Sequence, residues 1–342
     1  MNFSAAQAEL PSQVQQQVVE AIQYWSPAKQ SILNISHTHS SFHDVAESIQ
    51  KLFKSMFDLP DSHVMLIIPA GARYQFNQCA MFLRQHTQDV NYIISGHWST
   101  MASEAARNWL NVDCFDKSEC STITSDKDSR WTFYTDNETI EGVEFKAPPG
   151  NMKLIADMTS NIFTRKVDWA AHDVVFASSQ KNLGISGSCI VVVKKSLLMK
   201  DREDIFSYRQ AYQQNSLHVT PCIIAWYTLY AMLEWYERNG GVPFYEAKVK
   251  NFSEKLYHKL DQHPIYSNLV DPRWRSRVSI VFDLIEGASR DHFISVSEKE
   301  GFMGLKGHKI RGGVRISLYN SVKPESVDSL VEFLDYYGKR YG

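Results

Sequence analysis

The chain has 342 residues, of which 44% are hydrophobic and 22% are charged, and this composition excludes an intrinsically disordered or low-complexity protein. Its 36 lysines and arginines against 38 aspartates and glutamates give a formal net charge of −2, so the basic surplus typical of a nucleic-acid binder or a polybasic membrane binder is missing. Five scattered cysteines without a CxxC pair argue against a disulfide framework or a cysteine zinc site, and favour a reducing, cytoplasmic location.

The N-terminal part of the chain is predicted to be an arm followed by helices. Residues 1–12 show little periodicity and no signal-peptide pattern, so we expect an arm that lies against the rest of the protein. Apolar residues recur at helical spacing from Gln13 to Trp25 and from His43 to Met56. The most apolar run, Pro221 to Leu233, is shorter than the roughly 20 residues that a membrane-spanning helix needs, so no membrane span is predicted.

Short apolar runs then alternate with helical stretches. The predicted strands are VMLIIP (64–69), NYIIS (91–95), TFYT (132–135), KLIADM (153–158), HDVVFAS (172–178) and CIVVVK (189–194). The predicted helices between them are ARYQFNQCAMFLRQ (72–85) and MASEAARNWL (101–110). Near-continuous apolar strands of this kind are typical of a mostly parallel sheet covered on both faces. The alternation therefore predicts a three-layer α/β domain.

A change of pattern follows the segment ERNGGVP (237–243), because Gly-Gly-x-Pro does not continue a helix. Beyond it we predict a helix over 248–260, a strand over 277–285 and a last helix whose apolar face includes Val327 and Leu334. A basic, glycine-containing segment covers 305–319. The predicted organisation is an arm (1–12), a large α/β domain (13–240) and a small α+β domain (241–342).

Four residues or turns at strand ends carry the first functional signal, because ligands of open α/β sheets bind at the carboxyl ends of strands. Lys181 follows the strand HDVVFAS, Asp157 lies at the end of KLIADM, and Trp98 follows NYIIS. Gly71-Ala72-Arg73 lies between a strand and a helix, where backbone N–H groups favour a phosphate. Pyridoxal phosphate requires these parts: a lysine, an aspartate, an aromatic ring and an anion-binding turn. Taken singly, the lysine could equally lie on the surface, the aspartate cap a helix, the tryptophan pack in the core, and the turn be an ordinary turn.

Longer motifs extend this set along the whole chain. They are NFSAA (2–6), ISHTHSSF (35–42), NETIEG (137–142), ADMTSNIFTRKVD (156–168), SSQKNLGISG (178–187), TPCIIAWY (220–227), LKGHKIRGG (305–313) and VRISLYN (314–320). In these motifs, and in their order, the sequence resembles the phosphoserine aminotransferase family. The resemblance implies an aspartate-aminotransferase-like fold (pyridoxal-phosphate fold type I), with a mostly parallel central sheet in the large domain. It also implies a homodimer with the active site at the subunit interface.

The resemblance implies pyridoxal phosphate as the cofactor and assigns residues to it. Lys181 would form the Schiff base, Asp157 would pair with the ring nitrogen, and Trp98 would stack on the ring. The other implied cofactor contacts are Thr139 with the ring hydroxyl, Ala72, Arg73 and Gln180 with the phosphate, and Thr220 with the phosphate of the neighbouring subunit. At the last position the chain has Val-Thr-Pro where the family has Asn-Thr-Pro.

The implied reaction moves the amino group of glutamate to 3-phosphohydroxypyruvate and gives O-phosphoserine. The implied substrate-binding residues are His37, Thr38, His308, Lys309 and Arg315, of which Arg315 would clamp the α-carboxylate. Thr38 and Lys309 stand where the family has arginines that hold the substrate phosphate, and arginine and lysine are not equivalent at a bidentate site. Whether Arg311 or His39 supplies compensating charge is left open by the sequence.

Three functions therefore stay open from the sequence. The first is the transaminase of the family, and the second is a paralogous transaminase or lyase acting on another polar or acidic amino or 2-oxo acid. The third is a cofactor-binding protein without turnover. No metal site is predicted, because no carboxylate or cysteine completes the set formed by His37, His39 and His43.

Overall fold

The computed structural model describes residues 1–120, 130–150 and 153–342. Its strands are β1 (His63–Ile68), β2 (Asp89–Ile94), β3 (Asn111–Asp116), β4 (Trp131–Thr135), β5 (Asn137–Glu138), β6 (Val143–Glu144), β7 (Lys153–Asp157), β8 (His172–Ser178), β9 (Cys189–Lys194), β10 (Tyr266–Ser267), β11 (Ser279–Leu284) and β12 (Val314–Ser317). Its α-helices are α1 (Ser12–Gln23), α2 (Ser40–Met56), α3 (Ala72–Leu83), α4 (His97–Ala106), α5 (Lys195–Leu198), α6 (Tyr208–Gln213), α7 (Ile223–Arg238), α8 (Gly241–Gln262), α9 (Arg290–Lys299) and α10 (Pro324–Tyr341).

A seven-stranded sheet with the order β1-β9-β8-β7-β4-β2-β3 forms the centre of the molecule. The neighbours from β8 through β7, β4 and β2 to β3 are parallel, whereas β9 runs antiparallel to both β8 and β1. The prediction of a mostly parallel central sheet is thus confirmed. The direction of β9 was not predicted, since a buried apolar run reads the same in either direction.

Both faces of this sheet are buried, because successive side chains of each strand point to opposite sides. Ile155 and Phe176 pack with α3, α4 and α6 on one face, and Ala156 and Val175 pack with α1, α2 and α7 on the other. The result is the three-layer arrangement that the alternation of strands and helices predicted.

A smaller antiparallel sheet, β10-β11-β12, packs with α8, α9 and α10 around a third apolar cluster. Residue 240, after which the sequence predicted a domain boundary, lies between the end of α7 at Arg238 and the start of α8 at Gly241. The division into three units stays a prediction, although the two sheets do enclose separate apolar clusters.

Several element boundaries differ from the predicted ones. Helix α4 begins at His97 rather than residue 101, so Trp98 belongs to its first turn, and α8 begins at Gly241 rather than residue 248. Pro243 fits there because the first turn of a helix needs no N–H donor from it. Strand β3 and helix α9 were not predicted, and β3 is an edge strand with exposed or half-buried side chains only.

The N-terminal arm lies along the protein and joins the smaller sheet to the central one. Phe3 is buried in the third apolar cluster, and its N–H donates to the carbonyl of Met303 at 2.9 Å. Further along the arm, Ala8 N–H donates to the carbonyl of Gln180 at 3.0 Å. In the part of the chain that the structure describes, no helix is long and apolar enough to cross a membrane.

Candidate active site

The carboxyl ends of β1, β7 and β8 meet at one edge of the central sheet, and a cavity of about 490 Å³ opens there. It is lined by Ala5, Ala6, Gly71, Ala72, Arg73, Phe76, Trp98, Thr135, Asn137, Thr139, Asp157, Thr159, Ser160, Gln180, Lys181, His308 and Arg315. Residues from the arm, the central sheet and the smaller sheet therefore share one cavity. A cavity of this size is suited to a cofactor or a small-molecule substrate.

Lys181 and Asp157 form the charged floor of this cavity. Burial of the Lys181 amine, opposed by attraction to Asp157 and reinforced by Arg315, lowers its pKa to about 8. Asp157 is 6% exposed, and burial raises the pKa of its carboxyl despite a 2.9 Å hydrogen bond donated by Thr159 N–H to Oδ1. A lysine amine with a pKa of about 8 is partly neutral at slightly alkaline pH, and a neutral amine is a nucleophile and a proton acceptor.

Thr139 connects the aromatic and cationic walls of the cavity. Its hydroxyl accepts a hydrogen bond from Trp98 Nε1 at 3.0 Å, and its carbonyl accepts one from Arg315 Nη1, also at 3.0 Å. The Arg315 Nε atom is buried without a partner, and burial lowers the pKa of this guanidinium, which stays charged. Arg315 therefore retains donor capacity for an anion in the cavity.

Two carboxylates that the sequence analysis did not single out hold the first turn of α4. Glu138 is fully buried and accepts hydrogen bonds from the backbone N–H groups of Trp98, at 3.0 Å, and Ser99, at 2.7 Å. Glu141 accepts from the N–H of His97 at 3.0 Å. Carboxylates at a helix N-terminus accept hydrogen bonds from otherwise unpaired N–H groups and interact favourably with the helix dipole. Both carboxylates belong to the motif NETIEG, but only the tertiary fold brings this motif next to α4.

These carboxylates also constrain their surroundings. Burial, and next to it the charge of Glu141, raises the pKa of Glu138 to about 7. A Cβ at Gly96 would lie 2.3 Å from Glu141 Oε2, so a side chain there would displace the Glu141 carboxylate. The indole of Trp98 is thus positioned through its helix as well as through Thr139.

The N-terminus of α3 forms a cradle at the other end of the cavity. The helix begins at Ala72 after Gly71, and its first N–H groups together with the helix dipole favour an anion. A Cβ at Gly71 would lie 3.6 Å from the Ser178 hydroxyl, so β8 approaches the cradle closely. The same hydroxyl donates to Gln180 Oε1 and orients that amide beside Lys181.

Comparisons with known proteins agree with this geometry. Residues 1–330 match the family model for class-V aminotransferases. The phosphoserine aminotransferase of Buchnera aphidicola subsp. Acyrthosiphon pisum (strain Tuc7) is 31% identical over 356 aligned positions, covering 100% of this chain and 99% of its own. The chain belongs to the phosphoserine aminotransferase family.

Solved structures of this family have the same fold. The phosphoserine aminotransferase from Bacillus circulans subsp. alkalophilus superposes with a TM-score of 0.92 at 30% identity, covering 99% of this chain and 98% of its own. A phosphoserine aminotransferase from Trichomonas vaginalis with bound pyridoxal phosphate gives a TM-score of 0.90 at 26% identity, over 97% of this chain and 98% of its own. The expected aspartate-aminotransferase-like fold, with a mostly parallel central sheet, is thereby confirmed.

Within this fold, nine of the thirteen predicted site residues line the cavity and four do not. Those that line it are Ala72, Arg73, Trp98, Thr139, Asp157, Gln180, Lys181, His308 and Arg315. His37, Thr38, Thr220 and Lys309 lie outside its lining, and the last three of them are exposed. The roles implied for all thirteen residues by the resemblance to the phosphoserine aminotransferase family stay predictions.

The two residues named as possible substitutes for the missing arginines do not line the cavity. Arg311 Nη1 lies 3.4 Å from Asp283 Oδ2, and its side chain is not part of the cavity lining. His39 caps α2 by accepting a hydrogen bond from Ser41 N–H at Nδ1, at 3.2 Å. Among the residues that the structure describes, no group of three His, Cys, Asp or Glu side chains is arranged to hold a metal ion.

Proposed function

We propose that the protein is a pyridoxal-phosphate-dependent transaminase that transfers the amino group of glutamate to 3-phosphohydroxypyruvate and releases O-phosphoserine. The observation that carries the proposal is the cavity that Lys181 and Asp157 share with Trp98 and Arg315. Asp157 ends β7, and Lys181 follows the neighbouring parallel strand β8. Membership of the phosphoserine aminotransferase family supports the same reaction.

The residues of the cavity fit pyridoxal phosphate. Asp157, buried and accepting a hydrogen bond from the Thr159 N–H, would pair with a protonated ring nitrogen, and Trp98 would lie against the ring. The start of α3, from Gly71 to Arg73, would receive the phosphate together with Gln180. When bound, this cofactor supplies an aldehyde for the Lys181 amine and an aromatic ring that withdraws electrons from the substrate Cα.

The chain's own groups would then act on the substrate as follows. Arg315 binds the α-carboxylate through its guanidinium and is itself held by the Thr139 carbonyl. Lys181 Nζ would take the proton from the substrate Cα, and a pKa of about 8 is suitable for such a proton acceptor. Glutamate enters and 2-oxoglutarate leaves before the acceptor binds, which makes the kinetics ping-pong.

We further propose a homodimer in which Thr220 acts at the neighbouring subunit's site. Thr220 is exposed and outside the cavity of its own chain, which supports a role across an interface. Beside the phosphate cradle, Tyr74 packs on Phe206 with ring centroids 6.3 Å apart, and Phe206 and Ile205 are 42% and 57% exposed. Exposed apolar side chains in such a cluster are typical of a subunit contact.

We place the protein in the cytoplasm, in keeping with five free cysteines.

A half-reaction screen tests the reaction. The protein, loaded with pyridoxal phosphate, is converted to its amino form with excess glutamate, freed of 2-oxoglutarate and mixed with single 2-oxo acids while the cofactor absorbance is followed. Hydroxypyruvate is the matched control, because it differs from 3-phosphohydroxypyruvate only in the phosphate. We expect the phosphorylated acid to react about 100-fold faster or more, because hydroxypyruvate lacks the phosphate and so loses the charge-assisted hydrogen bonds to it. Equal rates for the two acids would contradict the proposed substrate.

A further inference from the structure

Two asparagines of the motifs QKNLG and VRISLYN have no role in the site as described so far. Asn182 follows Lys181 directly, and Asn320 ends the segment that begins with Arg315 in β12. Both side chains are 1% exposed. Buried amides of this kind are costly unless their hydrogen-bonding groups are paired, so their partners reveal what they hold together.

Asn182 is held at both its side chain and its backbone. Its Nδ2 donates to the carbonyl of Ile162 at 2.8 Å, and its Oδ1 accepts from the backbone N–H of Asn320 at 3.0 Å. Its own carbonyl accepts a hydrogen bond from the Tyr236 hydroxyl at 2.8 Å. The residue that follows Lys181 is therefore fixed by three hydrogen bonds.

Tyr236 and Asn320 close a ring of hydrogen bonds. Asn320 Nδ2 donates to the Tyr236 hydroxyl at 3.1 Å and to the carbonyl of Phe163 at 3.0 Å. Tyr236 is fully buried, and its ring stacks on that of Phe163 with centroids 4.1 Å apart and an interplanar angle of 9°. We call the residues Asn182, Tyr236 and Asn320 the asparagine junction.

The asparagine junction also holds a strained backbone. Phe163 has a φ of 66°, in the left-handed region that an aromatic residue rarely adopts. A conformation of this kind persists only where the surroundings determine it, and such positions cluster at functional sites. Here the contacts of Phe163 with Asn320 and Tyr236 form part of those surroundings, together with ring contacts to Phe53 and Phe57.

Each segment joined by the junction also carries a residue of the cavity. The segment with Ile162 and Phe163 follows Asp157, Asn182 follows Lys181, and Asn320 follows Arg315 on β12. On the far side, Lys248 of α8 donates to the carbonyl of Asn320 at 2.8 Å. The junction thus connects the two central strands that form the charged floor with the smaller sheet that carries the guanidinium.

We propose that the asparagine junction positions the Lys181 amine relative to Asp157 and Arg315, so that Tyr236, Asn182 and Asn320 are positioning residues for proton transfer at the substrate Cα. The inference rests on the proposed function for the step it serves. Its physical basis is that small errors in the placement of a proton acceptor reduce the rate of the chemical step while substrate binding changes little.

The variant Tyr236→Phe tests this by removing one hydroxyl, and Tyr245→Phe is the matched control. Tyr245 is also buried, and its ring packs edge-on against Tyr236 at 4.8 Å, but it does not belong to the junction. For Tyr236→Phe we expect kcat to fall about 10- to 100-fold while KM for both substrates changes less than about threefold. For Tyr245→Phe we expect both constants to stay close to wild type.

Two further readouts separate positioning from general stability. The pH midpoint of the absorbance change of the cofactor-loaded protein, which reports the environment of Lys181, should shift in Tyr236→Phe and not in Tyr245→Phe. In the cofactor-free protein, amide hydrogen exchange should accelerate at residues 161–164 and 181–187 but not in β2. An unchanged midpoint with unchanged kcat in a folded Tyr236→Phe protein would overturn the proposal, even if its Tm were lower.

Asn320→Ala provides an independent variant if Tyr236→Phe does not fold. It removes the amide donors to Phe163 and Tyr236 and leaves the backbone N–H that bonds Asn182. If the three residues act as one unit, the double variant Tyr236→Phe/Asn320→Ala should have a kcat little lower than that of the less active single variant. If the fold-losses of the two single variants multiply in the double variant, the residues act independently and the proposed junction is contradicted. Wild-type protein that transfers no amino group to any 2-oxo acid would overturn the proposed function instead, and the exchange measurement would still test the junction.

Discussion

The cofactor side and the substrate side of the cavity are built in different ways. Asp157 and Thr139 are buried and hydrogen-bonded within the chain, and the charges of Asp157 and Arg315 act on the half-buried Lys181 amine. Thr38 and Lys309, in contrast, are exposed and do not line the cavity. Contacts within one chain thus hold the buried side in place, whereas the two side chains predicted to hold the substrate phosphate lie in solvent.

The largest effect should come from the buried side. Asp157→Asn keeps the shape of the carboxyl but removes the charge that we propose holds a proton on the ring nitrogen, so we expect kcat to fall about 100-fold or more with the cofactor still bound. Asp173→Asn is the control. Asp173 is also buried, with 7% exposure, but it lies at the start of β8, whereas the cavity lies at the carboxyl ends of the strands. Equal activities of the two variants, per folded molecule, would show that Asp157 acts only as a structural residue.

Arg315 lies at the boundary between the two sides. Arg315→Lys retains the positive charge and loses the paired donors, so KM for glutamate should rise about 10- to 100-fold with a smaller change in kcat. Arg273→Lys, on the exposed surface, is the control and should behave as wild type. Steady-state kinetics with glutamate as the varied substrate measures both. A KM for Arg315→Lys close to that of wild type would show that the α-carboxylate does not bind to this guanidinium.

The buried side should also be visible in stability against pH. Burial raises the pKa of Glu138 to about 7 in the folded protein, above the ordinary glutamate value of 4.5. The folded state therefore binds this proton more tightly, and the contribution is present below pH 4.5 and lost as pH rises through 7. The difference in unfolding free energy between wild type and Glu138→Gln should fall by about 2 kcal/mol from pH 5 to pH 7. Denaturant titrations at the two pH values measure it, and a constant difference would mean that Glu138 is ionised throughout.

The smallest effect should come from the exposed side. Thr38→Arg combined with Lys309→Arg restores both family residues, and we expect KM for 3-phosphohydroxypyruvate to fall about tenfold or less with little change in kcat. Hydroxypyruvate serves as the control substrate, because it has no phosphate for either arginine. A larger gain for hydroxypyruvate than for the phosphorylated acid would place these two positions away from the phosphate.

Sequence reasoning reached the parts of the site that lie directly after strands. Lys181, Asp157 and Trp98 each follow a near-continuous apolar run, and the structure brings all three to one cavity. The support of α4 by Glu138 and Glu141 was missed, because these carboxylates are about 40 residues from the helix they cap and pair with it only in the fold. Local pattern carries no information on such contacts.

The same limit applies to the fold. The central strands were predicted to within a few residues, whereas the antiparallel direction of β9 and the exposed edge strand β3 were not. An edge strand buries little, so its side chains lack the apolar run that marks a buried one. The arm was expected to lie against the protein, and Ala5 and Ala6 do line the cavity, but nothing in their sequence indicates a place in it.

Covalent mapping of the cofactor tests the central claim most directly. Protein loaded with pyridoxal phosphate is reduced with borohydride, which makes a lysine–cofactor linkage permanent, and is then digested and analysed by mass spectrometry. The account predicts the added mass on Lys181, loss of the visible absorbance band, and no label in Lys181→Ala. Label on another lysine, or none on wild type despite saturating cofactor, would contradict it.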